Sequence, residues 1–166
     1  MLSRLLVNPS VKVHLRQLER ELNVSSNTVR LELNKLAEIK LIQEVETTNG
    51  RIKKFSANKK HPLFNELRSI VLKNLGIDQL LENVLSRLGE LEQVYLTGTI
   101  AEGKPSIFID LILVGKFDRD YLNNLIIKSE GLINKKIRVA VYSPEEFSED
   151  VLSEITNVKI LDHIYS

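Results

Sequence analysis

LTGTIAEGKPSIFIDLILVG, Leu96 to Gly115, decides how the second half of the chain is read. It opens like a loop that cradles phosphate, with Gly98-Thr99 and then Gly103. It closes as an almost continuous apolar run, the pattern of a strand covered on both faces, and that run carries one acid, Asp110. Just upstream, EQVYLT (residues 92–97) reads as another buried strand. Downstream, DRDYLNNLIIKSEG (residues 118–131) predicts a helix with Tyr121, Leu122, Leu125 and Ile126 on one face. IRVAVY (137–142) is a further strand. Ser143-Pro144-Glu145-Glu146 has the form of a capping box with proline at the first helical position, so it predicts a short helix through Phe147. A helix start also accounts for those two glutamates electrostatically, without catalysis. VKILDHI (158–164) is expected to pack at the edge.

The chain has 166 residues, enough for one ordinary domain or two small lobes. With 43% apolar and 27% charged residues it can bury a core and remain soluble. No run approaches ~18 consecutive apolar residues, so no transmembrane helix is expected. The N-terminus has neither the apolar run nor the small-residue cleavage site of a signal peptide. There is no cysteine, which excludes disulfides, thiolate metal sites and cysteine nucleophiles and fits the cytoplasm. The net charge of +1 hides an asymmetry: residues 1–60 carry 12 Lys/Arg against 6 Asp/Glu, and residues 61–166 carry 11 against 16. A basic front and an acidic back suggest two lobes with different partners.

In the basic front, LSRLLVN predicts a short helix before Asn8-Pro9, and VKVHL a short strand. Leu15, Leu18 and Leu22 then share one helical face. Asn23-Val24-Ser25 reads as a tight turn, and Ser25 or Ser26 as the cap of a second helix. Val29, Leu33 and Leu36 line the inner side of that helix. Asn27, Arg30, Leu31 and Asn34 point away, with Thr28 and Lys35 on the flanks. IQEVETTNGRIKKFSAN follows as two alternating strands joined by Asn49-Gly50, a strong hairpin signal because a type I′ turn needs positive φ at both positions. The hairpin carries Arg51, Lys53 and Lys54.

A helix-turn-helix followed by a basic hairpin resembles the winged-helix domain of bacterial and archaeal transcription regulators over about residues 1–61. That resemblance implies duplex DNA as partner. The recognition helix would supply Ser26, Asn27, Thr28, Arg30, Leu31, Asn34 and Lys35, and the wing Asn49, Gly50, Arg51, Lys53 and Lys54. Polar tips on a protruding helix can reach base edges, and hairpin cations can neutralise phosphates. A winged helix used only for protein contact is the other reading.

Residues 62–89 form a helical connection. Phe64, Leu67, Val71 and Leu75 make one stripe, and Ile77, Leu80, Leu81, Val84, Leu85 and Leu88 another after Gly76. Such a segment joins lobes or dimerises them. A homodimer is expected, because regulators of this kind read two-fold DNA sites.

The strand, Gly-Thr turn, second glycine and Asp-bearing strand over residues 90–166 resemble the polymerase-β-type nucleotidyltransferases. That family implies a Gly-Ser turn on the triphosphate and three acids holding two divalent ions. Gly98, Thr99, Gly103 and Asp110 match, as a nucleotide-binding remnant. Phe108 stands where the first acid belongs, and phenylalanine cannot ligate Mg²⁺. IRVAVY offers no third acid. Glu102 and Asp118 are the remaining acids near the site, and neither shares the strand face of Asp110. Asp110 alternatively reads as an acid held by backbone N–H groups or a nearby cation.

His14, His61 and His163 share no metal-ligand spacing, and neither a nucleophile elbow nor a Walker loop occurs. The fold expected is α+β: an N-terminal winged helix-turn-helix, a helical linker and a C-terminal nucleotidyltransferase-like lobe with a small mixed sheet. The function expected is a cytoplasmic DNA-binding transcription regulator of the prokaryotic winged-helix type. Its nucleotidyltransferase-like lobe is degenerate, without catalytic residues, metal or cofactor, and is expected not to be an enzyme. The lobe would sense a nucleotide, bind a protein effector or serve structurally. The alternatives are an active small nucleotidyltransferase with a non-standard metal site, and a protein-interaction module.

Overall fold

The structure, a computed structural model, describes residues 1–45, 52–83 and 85–162. The fold is α+β, and the chain divides into two compact units, Met1–Arg68 and Ser69–Ser166.

The first unit contains α1 (Leu2–Val7), α2 (Leu15–Leu22), α3 (Ser26–Glu38), β1 (Ile42–Val45) and β2 (Lys54–Ala57). Its corners are set by local chemistry. His14 caps α2 by accepting from the Gln17 N–H at 3.2 Å through Nδ1. Asn23 ends that helix in the left-handed region, at φ 52°, a conformation asparagine tolerates better than most residues. Ser25 then caps α3 by accepting from the Thr28 N–H at 3.2 Å. Leu5, Leu6, Val7, Leu18, Val29 and Leu33 are buried as the core. Leu22 departs from its expected place on the inner face: it is 42% exposed, because the helix ends there and turns away.

β1 and β2 pair antiparallel from Ile42↔Ala57 to Val45↔Lys54. The strand expected from VKVHL shrinks to one bridge. Val13 and Phe55 exchange backbone bonds of 2.9 and 2.8 Å, and His14 is already the cap of α2. The Asn49-Gly50 turn and Arg51 lie outside the described residues.

α4 (Phe64–Asn74) spans the boundary between the units. The second unit continues with α5 (Ile77–Asn83), a 3₁₀ turn at Leu85–Arg87, β3 (Glu90–Thr97), α6 (Gly98–Ala101) and β4 (Phe108–Lys116). Then come α7 (Arg119–Ile133), β5 (Lys136–Tyr142), α8 (Asp150–Ser153) and β6 (Asn157–Asp162). The single apolar helix expected over residues 77–88 is broken, with α5 giving way to the 3₁₀ turn, while Ile77, Leu80 and Leu88 are buried.

Among the described residues the sheet has the order β5-β4-β3-β6. It is mixed: β4 runs parallel to β5 and antiparallel to β3, and β6 is antiparallel to β3. The central strands are apolar on both faces, as the sequence required, with Leu96, Ile109 and Leu113 fully buried. Gly115 sits opposite Leu91 beside a register shift in β3; a Cβ there would overlap backbone atoms of Glu90 and Leu91.

Asp118, a spare acid by sequence, accepts from the Tyr121 N–H at 2.7 Å and caps α7. Leu122 and Leu125 are buried as expected, whereas Tyr121 is 46% exposed because it lies in the first turn, beside the cap. The capping box forms both bonds, Ser143 N–H to Glu146 Oε2 at 3.1 Å and Glu146 N–H to Ser143 Oγ at 3.3 Å. It closes a turn instead of the expected helix, and the helix starts later, at Asp150. Phe147 packs instead over Tyr95 and Tyr142, ring centroids 5.6 and 6.0 Å away. Glu145 bonds to Lys116 at 2.6 Å, which holds its carboxyl below and the Lys116 amine above their ordinary values. Glu130 likewise sits below the usual carboxylate range, through Lys136 first and then the Ile137 N–H.

Candidate functional site

Pleating sets the second unit's site. Successive residues of β4 face opposite sides of the sheet, so Phe108, Asp110, Ile112 and Val114 share one face. Ile112 and Val114 pack there with Tyr95, Tyr142 and Phe147. Farther along the same face the wall becomes polar. Thr97, Gly98, Glu102, Asp110, Arg138 and Glu154 line a cleft of about 660 Å³.

Parallel pairing places Asp110 beside Arg138 of β5. Arg138 donates through Nε to Asp110 Oδ1 at 2.5 Å and through Nη2 to Oδ2 at 3.0 Å. Its guanidinium carbon also lies 4.3 Å from the centre of the Phe108 ring. The carboxylate raises the Arg138 pKa above its ordinary value. Asp110 is the more enclosed partner, with its side chain 19% exposed against 61% for Arg138.

Gly98 completes the arrangement. Its φ is +64°, and a Cβ there would overlap the Asp110 carboxylate. Glycine is needed twice over, for the backbone angle and for the space. Of the four remnant residues, the cleft brings together Gly98 and Asp110. Thr99 is exposed on α6, and Gly103, at φ +74°, turns the chain out of that helix with its N–H on Ile100 O at 2.7 Å.

Arg138 is the residue that sequence reasoning missed. The signal was a lone cation in IRVAVY, and only the β4–β5 register gives it a partner. The divalent ions implied by the nucleotidyltransferase resemblance do not fit this set. Both Asp110 oxygens already accept from a guanidinium, and a phenyl ring occupies the neighbouring same-face position. Glu102 bonds to Lys104 at 2.7 Å. Among the described residues no group of three His, Asp or Glu side chains could hold an ion.

In the first unit, Asn27, Thr28, Arg30, Leu31, Asn34 and Lys35 are exposed on α3, while Ser26 is half-buried. Arg30 and Asn34 line a groove with Lys53, Leu15, Leu33 and Phe55. Lys53 lies 2.9 Å from Glu44 and Lys35 3.0 Å from Glu32, surface pairs that compete little with an incoming anion. Lys54 is half-buried at the start of β2.

No family model and no curated protein matches the chain. Solved structures of toxin–antitoxin proteins do. One is a tri-AMPylated HEPN toxin from Shewanella oneidensis in complex with its MNT antitoxin, at 13% identity and TM-score 0.39, covering 54% of this chain and 72% of that one. The toxin–antitoxin pair MntA–HpeT, with a tyrosine replaced by alanine, matches at 13% identity and TM-score 0.40, over 52% and 72% of the two chains. The same pair with two aspartates replaced by glutamates matches at 12% and 0.41, over 52% and 73%. These matches overturn one expectation. The non-enzyme reading is withdrawn: the solved structures this chain is similar to are toxin–antitoxin proteins, one of them with a toxin that carries AMP. The matched structures are toxin–antitoxin proteins and lend nothing to the regulator reading of the first unit. Among the described residues no helix is long and apolar enough to cross a membrane.

Proposed function

We propose that the second unit is a nucleotidyltransferase-type lobe that takes the phosphate chain of a nucleotide in the cleft between Gly98, Asp110 and Arg138. The observation carrying this reading is Gly98 itself. Its left-handed backbone and missing Cβ let the chain close against Asp110, which leaves bare backbone and an arginine fork lining one cleft. Phosphate oxygens are natural acceptors for backbone N–H groups and for an arginine fork. ATP is expected to raise the melting temperature of the protein. No thermal shift at millimolar ATP or GTP would overturn the reading.

A second observation favours a second activity. The outer face of α3 is polar and open, and Arg30, Asn34 and Lys53 converge on one groove. We infer that the first unit is a winged helix-turn-helix that binds duplex DNA, with α3 in the major groove and the hairpin on the phosphates. Binding to a labelled mixed-sequence duplex, followed by anisotropy, is expected to weaken steeply with salt. Arg30→Ala and Lys53→Ala should each lower the salt slope by about one. Absence of binding at ~50 mM salt, where phosphate contacts are strongest, would overturn it.

A further inference from the structure

Phe108, Asp110 and Arg138 put a phenyl ring, one carboxylate and a guanidinium side by side. These positions are neighbours: Phe108 and Asp110 lie two apart on β4, and Arg138 is the register partner of Asp110 on β5. We propose that Arg138, held by Asp110 and Phe108, is the fixed cation of this cleft and binds the phosphates of the nucleotide without a divalent ion. The proposal rests on the nucleotide reading above and adds the source of the positive charge.

The geometry supports this in three ways. Nε and Nη2 each donate one hydrogen to Asp110. A guanidinium has five N–H donors in a rigid plane, so three remain for a ligand. The fork is held on two sides, by the bidentate carboxylate and by the ring beneath it. A side chain held in this way loses less freedom when a phosphate arrives. Finally, Arg138 is the exposed member of the pair and Asp110 the enclosed one, so the cation is presented to the cleft and the acid stands behind it.

Charge at the site follows from the same arrangement. A divalent ion approaching Asp110 would have to displace the guanidinium or sit beside it, against like charge. A polyphosphate meets the guanidinium directly. The cleft therefore prefers free triphosphate over its magnesium complex, the opposite of a site built from three acids.

The test is calorimetric titration of the full chain with ATP, once in excess EDTA and once in excess Mg²⁺. Binding in EDTA at least as tight as in Mg²⁺ is expected. Arg138→Ala should weaken it about ten- to a hundredfold, the range for charge-assisted hydrogen bonds. Arg138→Asp is the second variant. It places a carboxylate beside Asp110, so it should abolish binding in EDTA and make the melting temperature respond to Mg²⁺ or Mn²⁺ alone. Circular dichroism of each variant checks that the fold is kept. Binding that requires Mg²⁺, or a wild-type melting temperature raised by Mg²⁺ alone, overturns the proposal and leaves the nucleotide reading standing. An Arg138→Ala variant that is folded and binds ATP normally also overturns it. If ATP binds under neither condition, the nucleotide reading itself fails.

Discussion

Leu113→Ala is expected to cost the second unit about 2–5 kcal/mol, the range for deleting a fully enclosed leucine. Leu113 has no exposed surface and lies on β4, between Val94 of β3 and Val141 of β5. Neither neighbour can move into the space without breaking its own ladder, so the cavity persists and the cost falls toward the upper part of the range. Against a total stability of about 5–15 kcal/mol for an ordinary domain, the loss is a large fraction. Of the four tyrosines, the three among the described residues, Tyr95, Tyr121 and Tyr142, lie in the second unit, the fourth follows them in the sequence, and there is no tryptophan. Tyrosine fluorescence in urea therefore reports this unit alone, and its midpoint should fall markedly. Ile127→Ala is the contrast. That side chain is 69% exposed on α7, and its loss should stay within about 0.5 kcal/mol. Equal effects for the two variants would mean that β4 is not the centre of the sheet.

Gly98→Ala is expected to cost about 2–5 kcal/mol and to weaken nucleotide binding at the same time. The left-handed backbone alone contributes about 1–2 kcal/mol for a residue with a Cβ. The remainder comes from overlap with the Asp110 carboxylate, an overpacking term of about 1–3 kcal/mol. Because Asp110 aligns Arg138, pushing it aside also misplaces the guanidinium. Gly89→Ala separates the two terms. Gly89 has φ +73° with nothing near its missing Cβ, so it should show the backbone cost alone. A Gly98→Ala protein no less stable than Gly89→Ala would show that Asp110 does not abut the turn.

The parts of the fold legible in the sequence were those written in short stretches. Asn23, Ser25 and the apolar spacing mark α2 and α3, because capping and periodicity act over a few residues. The continuous apolar run of β4 announced a strand buried on both faces. What could not be read was pairing across distance. Nothing local in IRVAVY tells which residue of β4 stands beside Arg138, since a shift of one position would turn that side chain to the other face. The same limit hid the role of Ser143–Glu146. Its bonds were predictable from spacing, but whether the chain then continued as a helix depended on Phe147 finding Tyr95 and Tyr142. Leu22 and Tyr121 were misplaced for a related reason: helical periodicity carries no record of where burial stops at a helix end.

The strand order β5-β4-β3-β6 has a consequence for a chain emerging from the ribosome. β3 meets β4 after a connection of ten residues, and β5 joins β4 once α7 has formed. The opposite edge of β3 is covered only by Asn157–Asp162, some sixty residues later. Throughout that interval Val94 to Thr97 present an open, apolar ladder, the kind of edge on which nascent chains pair with one another. Completion of β6 is thus the step that covers this edge of β3 during synthesis.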